Sequence, residues 1–91
     1  MLDLSLLRHF VAVVETGSFT RAANRLNTSQ SGVSRSVSRL EDELGVTLLE
    51  RTTRKLQMTP AGEALFAEAV ASLDRIAVAV DDARRIGRGA R

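Results

Sequence analysis

The chain contains no cysteine and a single histidine, His9. Without cysteine there are no disulfides, thiolate metal sites or thiol nucleophiles. His9 has no second histidine, cysteine or nearby acid at ligand spacing, so it reads as a surface or helix-face residue and is assigned no metal and no chemistry. No nucleophile-base pair, metal cluster or phosphate-cradling glycine loop is present, which argues against an enzyme and implies no cofactor. No long apolar run suggests a signal peptide or membrane span, so the expectation is a soluble, cytoplasmic chain with no membrane partner. Charge of one sign is lacking as well: 13 basic residues against 11 acidic give a net charge of only +2.

What is present is sorted by position. Ninety-one residues at 44% hydrophobic make one small domain whose core is marginal, so a partner that adds buried surface is expected on stability grounds. Leu7, Phe10, Val11 and Val14 form a first helical stripe, ended by Thr16-Gly17, with Ser18 as the next cap. Phe19, Ala22, Ala23 and Leu26 recur at helical spacing, and Val33, Val37, Leu40 and Leu44 form a further stripe. Between them, Asn27-Thr28-Ser29 breaks the helix. Asn27 tolerates the left-handed conformation of a tight turn, and Ser29 offers an oxygen to cap the next helix. Two crossed helices over residues 19–38 have the spacing of a helix-turn-helix.

The face opposite the valines reads Gln30, Ser31, Ser34, Arg35 and Ser38. These are short or fork-shaped donors and acceptors suited to base edges and phosphates. The run from Ser18 to Leu40 holds Arg21, Arg25, Arg35 and Arg39 and no acid, while Glu41, Asp42 and Glu43 are confined to the far end of the helix. A solvated face is the ordinary reading of such a pattern. Here turn spacing, serine density and the missing acids coincide, which favours nucleic acid. Gln30, Ser31, Ser34 and Arg35 are the candidate base readers; Thr28, Ser29, Ser38 and Arg39 are candidate phosphate contacts.

After Gly45 the pattern alternates. Val46 and Leu48, then Leu56 and Met58, predict two short strands over 46–58 joined by the basic turn Arg51-Thr52-Thr53-Arg54-Lys55. In this wing Arg54 at the tip is expected in the minor groove, with Arg51, Thr53 and Lys55 near phosphates. Thr59-Pro60 is a strong helix start. From there Gly62, Phe66, Ala69, Leu73, Ile76, Val80 and Ala83 follow a heptad seam on a helix to about Ile86, which would be roughly 40 Å long at about 1.5 Å per residue. Leu65, Val70 and Ala77 widen the stripe, so that one flank packs on the first helix while the seam meets a second chain. Ile86 to Arg91 reads as a helix break followed by a flexible end at 87–91.

The segments GSFTRAA, SQSGVSR, LEDELGV, LLER and TPAGE together resemble the amino-terminal winged helix-turn-helix of the LysR-type transcriptional regulators over residues 4–64. The resemblance implies a mainly α fold: a winged helix-turn-helix of three helices and a two-stranded wing (1–58), then a long linker and dimerisation helix (59–86). It implies Gln30, Ser31, Ser34 and Arg35 in the major groove and Arg54 in the minor groove of double-stranded DNA, at an interrupted palindrome. It also implies a homodimer through Phe66, Ala69, Leu73, Ile76 and Val80, commonly paired antiparallel. Many family members carry proline at the position of Ser31 and a larger residue at that of Gly32. Nothing resembling the family's C-terminal effector-binding domain follows, so the chain is either a piece of a longer regulator, the favoured expectation, or a naturally short protein, and a small-molecule effector would bind only in that missing domain. Two alternatives stand beside this one: the molybdate-responsive regulators, whose amino-terminal domain is similar, and a dimerisation module that sequesters a full-length regulator.

Overall fold

The computed structural model describes residues 3–52 and 55–89. Four helices and two strands follow in the order α1 (Leu4–Thr16), α2 (Phe19–Arg25), α3 (Gln30–Leu44), β1 (Leu49–Arg51), β2 (Leu56–Met58) and α4 (Pro60–Gly89). The described chain is mainly helical, and its strands pair antiparallel with Leu49 opposite Met58, Glu50 opposite Gln57 and Arg51 opposite Leu56.

Each boundary has a local cause. The Asp3 carboxylate accepts the Ser5 N–H and starts α1, while Gly17 ends it at φ 70. Ser18 accepts the Arg21 N–H and starts α2 at once. The turn to α3 is made by Asn27, the one described non-glycine residue with positive φ, at 54. Ser29 then accepts the Gly32 N–H at 3.0 Å, a cap typically contributing about 1 kcal/mol. Thr59 caps α4 through the Gly62 N–H.

Phe10, Val13, Val33, Val37, Leu40 and Leu48 are fully enclosed, joined by Leu6, Ala12, Ala22, Ala23 and Leu49. Ala22 and Ala23 let α2 lie close against its neighbours, and the α3 valines fill the crossing. The α1 stripe lies further round the helix than its spacing predicts: Leu6, Phe10, Ala12 and Val13 are buried, whereas Leu7, Val11 and Val14 are only partly covered. The reason is that α1 packs against α2, α3 and α4, so apolar residues on several of its sides find cover.

Three further boundaries differ from expectation. Leu44 is exposed, because α3 ends there in a left-handed Gly45 that turns the chain away. The first strand begins at Leu49 and Val46 is exposed. Gly45 and Val46 both donate to the Glu41 carbonyl, and Leu48 and Leu49 both donate to the Glu41 carboxylate. The backbone donors of Gly45, Val46, Leu48 and Leu49 thus serve the end of α3, which holds this segment out of an earlier ladder. Finally, α4 continues through Gly87 to Gly89 instead of breaking after Ile86. Two glycines weaken a helix by about 1 kcal/mol each relative to alanine, and neither forbids it.

Candidate nucleic-acid interface

With Val33, Val37 and Leu40 turned inward, the outward side of α3 carries Ser31, Arg35 and Ser38, all exposed, with Gln30 exposed and Ser34 half-buried at its flank. Arg35 makes no salt bridge among the described residues, so its guanidinium fork is available to a partner. At the N-terminal end the Ser29 and Ser31 hydroxyls lie 3.3 Å apart. A Cβ on residue 32 would come within 3.0 Å of Ser29 Oγ and 3.2 Å of Thr28 Oγ1, so Gly32 makes room for the Ser29 hydroxyl that caps the helix and for the Thr28 hydroxyl beside it. The exposed Thr28 and Ser29 thereby lie beside the first turn of α3.

The other cations are engaged more than their sequence suggests. Arg25 reaches back to Glu15 on α1 at 2.7 Å, so the acid missing from its own segment comes from the preceding helix. Arg39 lies 3.9 Å from Glu43 one turn on; both are solvent-facing, and such pairs are worth little. Arg51 places its guanidinium 4.5 Å from the Phe19 ring centroid. Lys55 is exposed beside it, with its backbone N–H and carbonyl both bonded to the Thr52 hydroxyl at 3.0 Å. Thr53 and Arg54, the expected tip of the wing, lie outside the described residues.

Sequence reading did not find the neighbours that α1 supplies. Asp3, Ser5, Leu6 and His9 form one wall of an open cleft of about 700 Å³; Arg35, Ser38, Arg39 and Asp42 form the other. Hydrogen bonds from Ser5, first its backbone N–H and then its hydroxyl, hold the Asp3 carboxyl below the ordinary carboxylate value, with smaller help from Arg39 and His9. His9 is half-buried in this cleft, and its enclosed Nδ1 has no hydrogen-bond partner among the described residues. The serine two residues after Asp3 is a capping signal readable in the sequence; the proximity to α3 is not.

The expected α4 seam divides. Gly62 is buried, and any side chain there would run into the Leu48 carbonyl. Phe66 stacks edge-on against Phe10, with centroids 6.4 Å apart and an interplanar angle of 80°, and Ala69 is buried at 4% exposure. These three positions pack inside their own domain because α4 begins pressed against α1 and the entry to the wing. Leu73 and Ile76 are half-buried, and Val78, Val80 and Ile86 are exposed. Among the described residues no helix is long and apolar enough to cross a membrane, and no cluster of histidine and acidic residues could hold a metal ion.

This arrangement matches known proteins closely. The family model for bacterial regulatory helix-turn-helix proteins of the lysR family covers residues 4–63. The HTH-type transcriptional regulator BudR of Klebsiella aerogenes is 43% identical over 88 residues, 97% of this chain and 62% of the relative. A probable cat1 operon transcriptional activator of Acinetobacter lwoffii is also 43% identical, over 86 residues, 94% of this chain and 28% of the relative. The crystal structure of the BenM DNA-binding domain with catB site 1 DNA superposes with a TM-score of 0.92 at 42% identity, covering 97% of this chain and 99% of that one. The chain thus spans 62% and 28% of the length of these two curated relatives.

Proposed function

The chain belongs to the lysR family of bacterial regulatory helix-turn-helix proteins, and on that premise we propose that it reads duplex DNA as part of a transcriptional regulator. The carrying observation is the outward face of α3, where Ser31, Arg35 and Ser38 stand exposed over a buried valine stripe. An α-helix so presented fits the major groove, and the fork of Arg35 suits the O6 and N7 of guanine. Gln30, Ser31, Ser34 and Arg35 are the proposed base readers. Thr28, Ser29, Ser38 and Arg39 would position the helix on phosphates, as would Lys55 in the wing. Thr53 and Arg54 are proposed wing contacts from their place in the sequence alone. The likeness to the BenM domain crystallised with DNA supports this reading over a module that only sequesters a regulator.

A second chain is part of the proposal. Leu73, Ile76 and Val80 continue the heptad spacing into the part of α4 that its own domain covers partly or not at all, and Val78 and Ile86 add apolar surface there. A dimer would bring two reading helices to the halves of an interrupted palindrome. The work done is binding and not catalysis, in the cytoplasm where the DNA is.

The deciding experiment is fluorescence anisotropy of the 91-residue chain against random-sequence duplexes and against the intergenic region upstream of its own gene, across a salt series. Tighter binding to the native region with a steep salt dependence supports the reading. Equal, weak binding to both overturns it.

A further inference from the structure

The wing is tied to the helix-turn-helix by a contact that the sequence does not suggest. Arg51, the last residue of β1, lays its guanidinium over the Phe19 ring at the first turn of α2, 4.5 Å from the centroid. Phe19 is half-buried and packed against the core, which restricts the room its ring has to move. Gly17, Ser18 and Phe19 face Arg51, Thr52, Lys55 and Leu56 across one groove, so the stack sits where the base of the wing meets α2. Just beyond it the loop is closed: the Thr52 N–H donates to the Lys55 carbonyl, the Thr52 hydroxyl donates to the same carbonyl, and the Lys55 N–H donates to the Thr52 hydroxyl, each at 3.0 Å. A two-stranded ribbon with strands of three residues has little rigidity of its own. Its direction must come from what it leans on.

We propose that Phe19 is a positioning residue for DNA binding: its ring holds Arg51 as a brace that sets the angle of the wing relative to α3, so that Arg51 acts through the stack instead of as a free phosphate ligand. This rests on the DNA-reading function proposed above. A planar guanidinium on an aromatic face suits the role, since arginine stacks and keeps its charge. The Thr52–Lys55 clasp then carries the fixed direction of β1 into the turn.

The test compares Phe19→Leu, Phe19→Tyr and Arg51→Gln with the parent chain, on a duplex selected by the parent from a random-sequence pool and on versions whose flank is A·T-rich or G·C-rich. Phe19→Leu keeps every charge and an apolar side chain. It is expected to weaken binding about threefold to tenfold with the salt slope unchanged, and to erase any preference between the two flanks. Phe19→Tyr, which keeps the ring, is expected to restore both. Proton NMR of the free chain should show the Arg51 side-chain resonances shifted upfield by the ring in the parent and the Tyr variant only. Circular dichroism and thermal melting confirm that each variant is folded. The proposal is overturned if Phe19→Leu binds and discriminates like the parent while Arg51→Gln lowers the salt slope by about one phosphate contact. A parent chain that selects no duplex would instead overturn the DNA-reading function, while the NMR shifts would still report whether the stack exists.

Discussion

The Glu41 carboxylate accepts the Leu48 backbone N–H at 2.7 Å, with the Leu49 N–H on the same oxygen at 3.1 Å. An acid near the end of the proposed reading helix thus fixes the segment that leads into the wing, and it is spent on the fold instead of facing a phosphate. Glu41→Ala would leave two part-buried donors unsatisfied and is expected to cost about 2–4 kcal/mol in urea denaturation. Glu41→Gln, which retains one acceptor oxygen, should cost clearly less. Equal stability of Ala variant and parent would remove the carboxylate from the account.

Gly62 and Gly87 make opposite predictions on one helix. A methyl group at 62 would meet the Leu48 backbone, whereas at 87 it would meet nothing within 4 Å among the described residues outside its own helix turn. Gly62→Ala is expected to destabilise by about 3 kcal/mol or more, since backbone must move. Gly87→Ala should stabilise slightly or leave stability unchanged, because it removes only a helix-weakening glycine near a helix end. Denaturation midpoints of the two variants give the answer directly.

Asp3 makes stability depend on pH. Its carboxyl is held below the ordinary value by Ser5, so the stabilisation is fully present above the unfolded value and is lost as pH falls through the lower folded one. Urea midpoints measured from about pH 7 to about pH 2 should show the parent more stable than Asp3→Asn at neutrality, with the gap closing in acid. A gap that is constant over the range would mean that the cap is not a charged one.

Arg35 and Lys55 are expected to fail differently. Arg35→Ala should cost about 1–3 kcal/mol on a selected duplex and relax its sequence preference, while Lys55→Ala should weaken all duplexes alike and lower the salt slope by about one. If Arg35→Ala reduces binding to selected and random DNA equally, Arg35 is a phosphate contact and the base reader lies elsewhere on α3.

Legibility followed the range of the interactions. Asn27 at positive φ, the Ser18 and Ser29 caps, Gly17 and Gly45 as helix stops and Thr59-Pro60 as a helix start are settled within a few residues, and the sequence carries them. The inward Val33, Val37 and Leu40 were readable for the same reason: one period sorts a helix into two faces. The α4 seam was legible only as a stripe, because a heptad pattern says that a stripe is covered without saying by what. Phe66 meets Phe10 and Gly62 meets Leu48 in the same chain.

The sequence by itself determined where helices start and stop, which face of α3 is polar, and the family, since caps, turns and periodicity are local properties of neighbouring residues. Only the tertiary structure decided that Arg25 answers Glu15, that Glu41 holds Leu48, that Arg51 rests on Phe19, and that Asp3 and His9 stand beside the reading helix. Each of those depends on how helices cross and how closely they approach, and that is set by side-chain volumes in the shared core, not by spacing along the chain.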